Sequence, residues 1–315
     1  MESDPKHSHS DAIDLAYAIS RLWARKFLIL SVTFVAGAIA AAGSLLLPNI
    51  YRAEALLAPN QAENQGGLSA LAGRYGALAG LAGVNLGGGD SVDKVALGLR
   101  TLQSRQFITE FIQRYDLLVP LMAAKGWDAS SDELIIDTDL YDSSSGEWVR
   151  EVSYPYTRVP SLQEAYGRFS GLLAVSENSD DGFVKIAIEF YSPSVAKQWT
   201  EQLVLDLNTF VQKREIAEAE SAIGYLNEQI DQTPVNELRQ VFYGLIEEQI
   251  KKAMLANVTS EYLFRVIDPA VIPQFKAKPR RSVLVLLVMV LVGFIVSTLV
   301  LVWRPRGVRP DSQSR

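Results

Sequence analysis

Carboxylates are the only common catalytic side chains distributed through this chain. Its 315 residues include no cysteine and two histidines, His7 and His9, both in a polar N-terminal stretch. That removes thiolate nucleophiles, thiolate zinc sites and disulfides, and leaves the body without the usual general base near neutral pH or the usual transition-metal ligands. The acids do not gather. Asp128, Asp132, Glu133, Asp137, Asp139 and Asp142 are scattered through a loop-like stretch over 126–160, without the compact DxDxDG spacing that calcium coordination needs. They read as solvated acids. Asp180 and Asp181 are neighbours in a polar hairpin turn, so their side chains point apart, whereas glycosidic chemistry needs two carboxylates about 5–10 Å apart across a cleft. The tract GGLSALAGRYGALAGLAGVNLGGGD (66–90) has neither GxxxxGK[ST] nor a GxGxxG between strand and helix, so it cradles no phosphate. A flexible, partly helical loop with an apolar side is expected there, near a bilayer or a neighbouring subunit. No catalytic, cofactor or metal site is predicted, and the protein is not expected to be an enzyme. A membrane-anchored carboxylate hydrolase is the enzymatic alternative. A net charge of −6 argues against nucleic acid as a partner.

The stronger signals are apolar. Val283–Trp303 is a run of 21 residues without a charge, and Phe27–Leu47 is another. As helices these would be roughly 31 Å long at about 1.5 Å per residue, which matches a hydrocarbon core. The first run is too long, and its flank too extended, for a cleaved signal with an apolar core of about 7–15 residues, despite the small residues of AIAAAGS at 38–44. Both runs carry small residues about four apart, Gly37 with Ala41 and Gly293 with Ser297, which let helices approach closely in lipid. Arg21, Arg25 and Lys26 precede the first run, and Arg304, Arg306 and Arg309 follow the second, which favours cytoplasmic termini. Lys276, Lys278, Arg280 and Arg281 oppose that count. However, they flank a segment of domain size, where the charge rule is weak.

Between the runs, the sequence predicts a strand over Tyr51–Pro59, one helix over Val92–Leu118, and a turn with a short strand in SSSGEWVREV (143–152). Ser161 and Glu164 form a capping box opening a helix to about Phe169, and Leu172–Val175 reads as a short strand. GFVKIAIEF (182–190) is the clearest strand, with Val184, Ile186, Ile188 and Phe190 on one face. Ser192-Pro193 starts a helix predicted to reach Gln232, whose later half carries Ile216, Ala219, Ile223, Leu226 and Ile230 as a heptad seam. Thr233-Pro234 is expected to start a second helix, to about Asn257. That helix has more apolar positions (Leu238, Val241, Phe242, Leu245, Ile246, Ile250, Met254) than one partner would bury, so a neighbouring copy is expected to cover the rest. Glu261–Ile267 returns as a strand. Pro269, Pro273 and Pro279 then punctuate a basic tether, 268–281, read as lying on the membrane surface.

The fold class is thus α+β: a small mixed sheet with helices and a long projecting helical hairpin (about 193–257), flanked by two transmembrane helices. The expected organisation is a tail over 1–26, spans over 27–47 and 283–303, a domain over 48–282, and a tail over 304–315.

Several segments, in order and in place relative to both spans, carry a resemblance. IDLAYAISRLWARKFLIL leads into the first span. YRAEALLAP, LAGLAGVNLGGG, GEWVREV and SPSVAKQWTEQLV follow, and DPAVIPQFKAKPRR precedes the second span. Together they resemble the Wzz chain-length determinants, the polysaccharide co-polymerases of bacterial inner membranes. The proline-rich motif of that family is matched by Pro269, Pro273 and Pro279, with Lys278 beside the last. The resemblance implies a ring-like homo-oligomer with its α/β base on the periplasmic face. It also implies control of the modal length of an O-antigen or related surface polysaccharide beside a Wzy-type polymerase. Expected partners are copies of itself, the polymerase, membrane lipid and a polysaccharide or lipid-linked polymer. A capsule or exopolysaccharide export component shares the architecture and is the main alternative. The early Thr233-Pro234 implies a shorter hairpin than in the longest members. With 12 residues after the second run and no Walker motif, no attached kinase is expected.

Overall fold

Burial alternates along Tyr51–Pro59 (β1): Ala53, Ala55 and Leu57 face inward and Glu54 faces out, the period-two signature of a strand with one buried face. The computed structural model describes residues 22–60, 90–178 and 180–302, so the glycine-rich tract before Asp90, both histidines, residues 1–21 and the C-terminal tail lie outside the described residues. Two compact units result. One is Asn49–Ala277; the other joins Met1–Pro48 to Lys278–Arg315.

In the first unit β1 is an inner strand of a four-stranded sheet. Its neighbours are β7 (Val184–Phe190) and β8 (Phe264–Asp268), and β6 (Leu173–Glu177) flanks β7, giving the order β6-β7-β1-β8. Every pairing is antiparallel, so the sheet is not mixed as expected. The cause is local for β6 and β7, which a tight turn joins. There Gly182 takes φ +70°, open to glycine without strain, and its N–H donates to the Asn178 carbonyl at 2.8 Å. β1 and β8 meet through a register shift between Leu56 and Leu57.

The expected single helix over Val92–Leu118 is three: α2 (Asp90–Leu102), α3 (Arg105–Arg114) and α4 (Leu118–Ala123). The Ser104 hydroxyl accepts from Phe107 N at 3.2 Å and starts α3 afresh, while Asp116 at φ 51° separates α3 from α4. The expected loop over 126–160 contains two small hairpins, β2 (Ala124–Asp128) with β3 (Glu133–Ile136) and β4 (Tyr141–Asp142) with β5 (Glu147–Trp148).

The predicted capping box is present at Ser161 and Glu164, and opens α5 (Leu162–Leu172). α6 (Pro193–Gln232) begins where predicted, its Ser192 hydroxyl accepting from Val195 N. At 40 residues it is about 60 Å long. α7 runs Asn236–Val258, and its start corrects the expectation. Thr233 closes α6, donating to the Gln229 carbonyl at 2.7 Å, and α7 begins after Val235 with no side-chain cap.

The core lies where α3, α5 and the first half of α6 meet the sheet. Phe169 is fully buried between Phe111 (ring centroids 5.4 Å) and Trp199 (6.1 Å), and Trp199 also stacks on Phe190 at 4.5 Å. Each such side chain contributes about 1.5–3 kcal/mol by leaving water.

The second unit is a pair of helices, α1 (Lys26–Leu45) and α8 (Arg281–Val302), each starting one or two residues before the predicted run. Both are long and apolar enough to cross a membrane, with mean hydropathy 2.1 and 3.1. Only 11% and 6% of their apolar windows are buried, so these are not core helices, and they fit a two-pass topology. Lys26 Nζ lies 4.4 Å over the Trp23 ring, an aromatic–basic pairing suited to a membrane interface.

Candidate functional site

Five of the eight acids that opened the chemical question, Asp128, Asp132, Asp137, Asp142 and Asp181, have a local task. Asp128 accepts from the backbone and hydroxyl of Ser130, and Asp142 accepts from Ser144 N and the Ser145 hydroxyl. Those bonds hold both carboxyls below the ordinary aspartate range, that is, ionised. Asp132 accepts from Trp127 Nε1 at 2.8 Å and from the Ser194 hydroxyl at 2.9 Å, latching the β2–β3 hairpin to the start of α6. Asp137 binds Lys125 at 3.3 Å. Asp181 accepts from Asn178 and from Phe183 N, shaping the β6–β7 turn. Among the described residues no group of acids or histidines has metal-holding geometry.

The predicted seam lies in the second half of α6. Ala219 and Ile230 are buried and Ile216, Ile223 and Leu226 half-buried, on the side of α6 that meets α7. α7 itself buries only Ala256. Leu238, Val241, Leu245, Ile250 and Met254 stay exposed, Met254 at 63%. One partner helix therefore leaves an apolar face of α7 open within this chain.

Of the tether residues, Pro269 and Lys278 are exposed while Pro273 and Pro279 are half-buried. Ala270 is buried, and Ala277 N donates to the Ile50 carbonyl at 2.8 Å, pinning the segment beside the entry to β1. Lys276 Nζ reaches Asn49 Oδ1 at 3.3 Å. Between these anchors Val271, Ile272 and Phe275 project outward, Phe275 at 85% exposure.

In the helix pair, Gly37 is buried, and a Cβ there would lie 2.9 Å from Met289 Cγ. Gly293 is half-buried, and a Cβ there would sit 3.5 Å from Thr33 Oγ1. Ser297 is half-buried too, but Ala41 is exposed; Thr33 and Gly37 are the α1 residues that meet Gly293 and Met289. The Ser44 hydroxyl donates to the Ala41 carbonyl at 2.8 Å, satisfying within the helix what a bilayer would leave unsatisfied.

Two organising residues carry no sequence signal of their own. Asn208, buried in mid-α6, donates Nδ2 to the Phe264 carbonyl at 3.0 Å and accepts at Oδ1 from Leu263 N and Phe264 N. It fixes β8 against α6. Arg150 donates to both Glu164 oxygens and to the carbonyls of Thr157 and Arg158. Their partners are 14 to 56 residues away or are backbone atoms, which no spacing rule reveals.

Over residues 11–115 of 315 the chain matches the Wzz family, described as chain length determinant protein, the family its motifs resemble. Solved structures also align. A "full-length bacterial polysaccharide co-polymerase" is 14% identical with TM-score 0.34, the alignment covering 92% of this chain and 96% of that one. A fragment of WzzB, a polysaccharide co-polymerase from Salmonella Typhimurium, is 11% identical with TM-score 0.27, covering 73% of this chain and all of that one. At those scores the structural likenesses carry no argument. No curated protein matches the chain.

Proposed function

We propose that this protein sets the modal chain length of a surface polysaccharide of O-antigen type without making or breaking bonds itself. It acts as a ring-like homo-oligomer in the bacterial inner membrane beside a Wzy-type polymerase. The observation that carries the reading is the family match over residues 11–115, which takes in the first apolar helix, β1 and the first helices of the domain. In this reading residues 1–26 and 304–315 are cytoplasmic, α1 and α8 cross the bilayer, and 48–282 is periplasmic. The open apolar face of α7 supports packing between copies, while the seam at Ile216, Ala219, Ile223, Leu226 and Ile230 closes the hairpin within one copy. Val271, Ile272 and Phe275, a few residues before α8, suit contact with lipid, with Lys276, Lys278, Arg280 and Arg281 toward head groups.

The test is the surface-polysaccharide ladder on a gel, with and without this protein. Deletion is expected to broaden or shift the modal band, and an unchanged ladder ends the reading. The tether then couples the assembly to partners in the bilayer. Pro269→Ala, Pro273→Ala and Pro279→Ala are expected to shift the modal length while the protein stays folded and membrane-bound, as circular dichroism and fractionation would report.

A further inference from the structure

Residues 150–160 carry the most exposed aromatic ring among the described residues, and they are held from beneath. The Arg150 side chain is only 10% exposed. Its Nη1 donates to Glu164 Oε2 at 2.8 Å and its Nη2 to Glu164 Oε1 at 3.2 Å; Nη2 and Nε also donate to the carbonyls of Thr157 (2.6 Å) and Arg158 (2.9 Å). Glu164 in turn accepts from Ser161 N at 2.9 Å, so one sheltered ion pair ties the loop to the first turn of α5. At the tip, Tyr156 N donates to the Ser153 carbonyl at 3.0 Å and closes a turn. Above this brace the Tyr154 ring is 97% exposed and Tyr156 56% exposed. Tyrosine on a fixed backbone presents a large amphipathic contact area with little side-chain entropy to lose, which is how pre-organised binding surfaces are built.

We propose that this loop is a contact site for the polysaccharide chain, with Tyr154 and Tyr156 as stacking faces for its sugar rings. The inference rests on the reading that this protein regulates a polysaccharide. A pyranose ring offers C–H groups on its faces and hydroxyls around its rim. Its complement is an aromatic face with a polar tip and hydrogen-bonding neighbours, and here Ser153, Thr157 and Arg158 flank the two tyrosines along the chain. The other exposed apolar surfaces have different chemistry. The segment after β8 offers Val271, Ile272 and Phe275, which suits lipid, and α7 offers Leu238, Val241 and Leu245, which suits another apolar helix. Tyrosines on a braced loop of mixed character, where exposed Val152 and Val159 alternate with Ser153, Thr157 and Arg158, match neither. Arg150 keeps the Glu164 carboxyl ionised, so that acid has no proton to give a bound polymer.

The test uses the full-length protein in nanodiscs and polysaccharide released from the surface of the source cells, with binding followed by biolayer interferometry. The double variant Tyr154→Ala, Tyr156→Ala is expected to lose about tenfold or more in affinity, and Tyr154→Trp to stay within about threefold of wild type. The indole introduced by Tyr154→Trp is expected to shift its emission to the blue when polymer is added. Wild-type affinity in the double variant overturns the proposal. So does loss of subunit assembly by native mass spectrometry, which would assign the loop to contacts between copies. An indole already blue-shifted in nanodiscs and indifferent to polymer assigns the loop to lipid and overturns it equally. If wild type fails to bind polymer while its deletion still changes the ladder, the contact is wrong and the regulatory reading survives. An unchanged ladder removes the regulatory reading itself.

Discussion

The two halves of α6 are one helix in two environments. From Pro193 to Val211 it is a core helix: Ala196, Trp199, Leu203 and Leu207 are at most 3% exposed, and even polar Thr200 and Asn208 are enclosed. Beyond Glu215 only Ala219 and Ile230 are buried, and the helix that returns beside it buries one residue. The same secondary structure is thus held in two ways. The base is closed by contacts within the chain. The hairpin is closed on one side and leaves apolar surface for something else to cover. Regular helix geometry therefore says little about where a chain's stability resides.

The widest test of that difference sets Phe169→Ala against Leu245→Ala, followed by denaturant unfolding of the full chain in detergent. Emptying the Phe169 site is expected to cost about 3–5 kcal/mol, whereas Leu245→Ala is expected to cost under about 1 kcal/mol in dispersed monomer and to weaken assembly instead. Equal costs in monomer would erase the distinction between base and hairpin. Next comes Asn208→Ala, which strands two backbone N–H groups and a carbonyl at the join of α6 and β8. A loss of about 2–4 kcal/mol is expected, and a near-neutral result would mean that β8 is held by its β1 pairing alone.

A smaller effect belongs to acid. Hydrogen bonds from Arg150, then those from Ser161, hold the Glu164 carboxyl at about 2, against an ordinary 4.5. Because the folded value is depressed, the contribution of Glu164 is complete above pH 4.5 and is lost as pH falls from there toward 2. About 1–2 kcal/mol is expected once solvent screening is allowed for. Glu164→Gln should flatten that part of the stability-against-pH curve, and an unaltered curve would show that the brace does not operate in solution. Smallest is Gly244→Ala in α7. An added Cβ there meets nothing within 4 Å, so helix propensity alone predicts a gain of about 0.5–1 kcal/mol in monomer. Gly98→Ala is the counterpart in the base, where the added carbon would run into Leu263 and stability should fall.

Local signals were the legible ones. The bounds of β1, the capping box at Ser161 and the Ser192-Pro193 start of α6 all follow from residues within four positions of each other, so the sequence displays them directly. Thr233 was misread for an instructive reason. Its hydroxyl can cap the helix ahead or bond back to a carbonyl of the helix behind, and tertiary geometry chose Gln229 behind it. In the 92–118 stretch the break between α2 and α3 turns on a single hydroxyl, that of Ser104, and the break before α4 on Asp116 at φ 51°, inside an otherwise continuous apolar pattern. Strand order, the antiparallel character of the sheet, and the parts played by Asn208 and Arg150 depend on partners far along the chain. Of the proposed surfaces, the seam and the tether rest on spacing and prolines, which the sequence displays. The tyrosine loop does not, because its character comes from what Arg150 binds rather than from Tyr154 and Tyr156 themselves.

The length of α6 has a mechanical consequence. Its first 19 residues are clamped in the core, and Gln212, just beyond, holds the end of α7 through the Ala256 carbonyl at 2.7 Å. The remaining residues form an arm of roughly 30 Å, so a rotation of about 5° at the sheet carries the tip about 3 Å. The hairpin is a lever whose fulcrum is Asn208 and Gln212. A small angular change in the base would be read at the far end as a displacement wide enough to change how neighbouring side chains interlock.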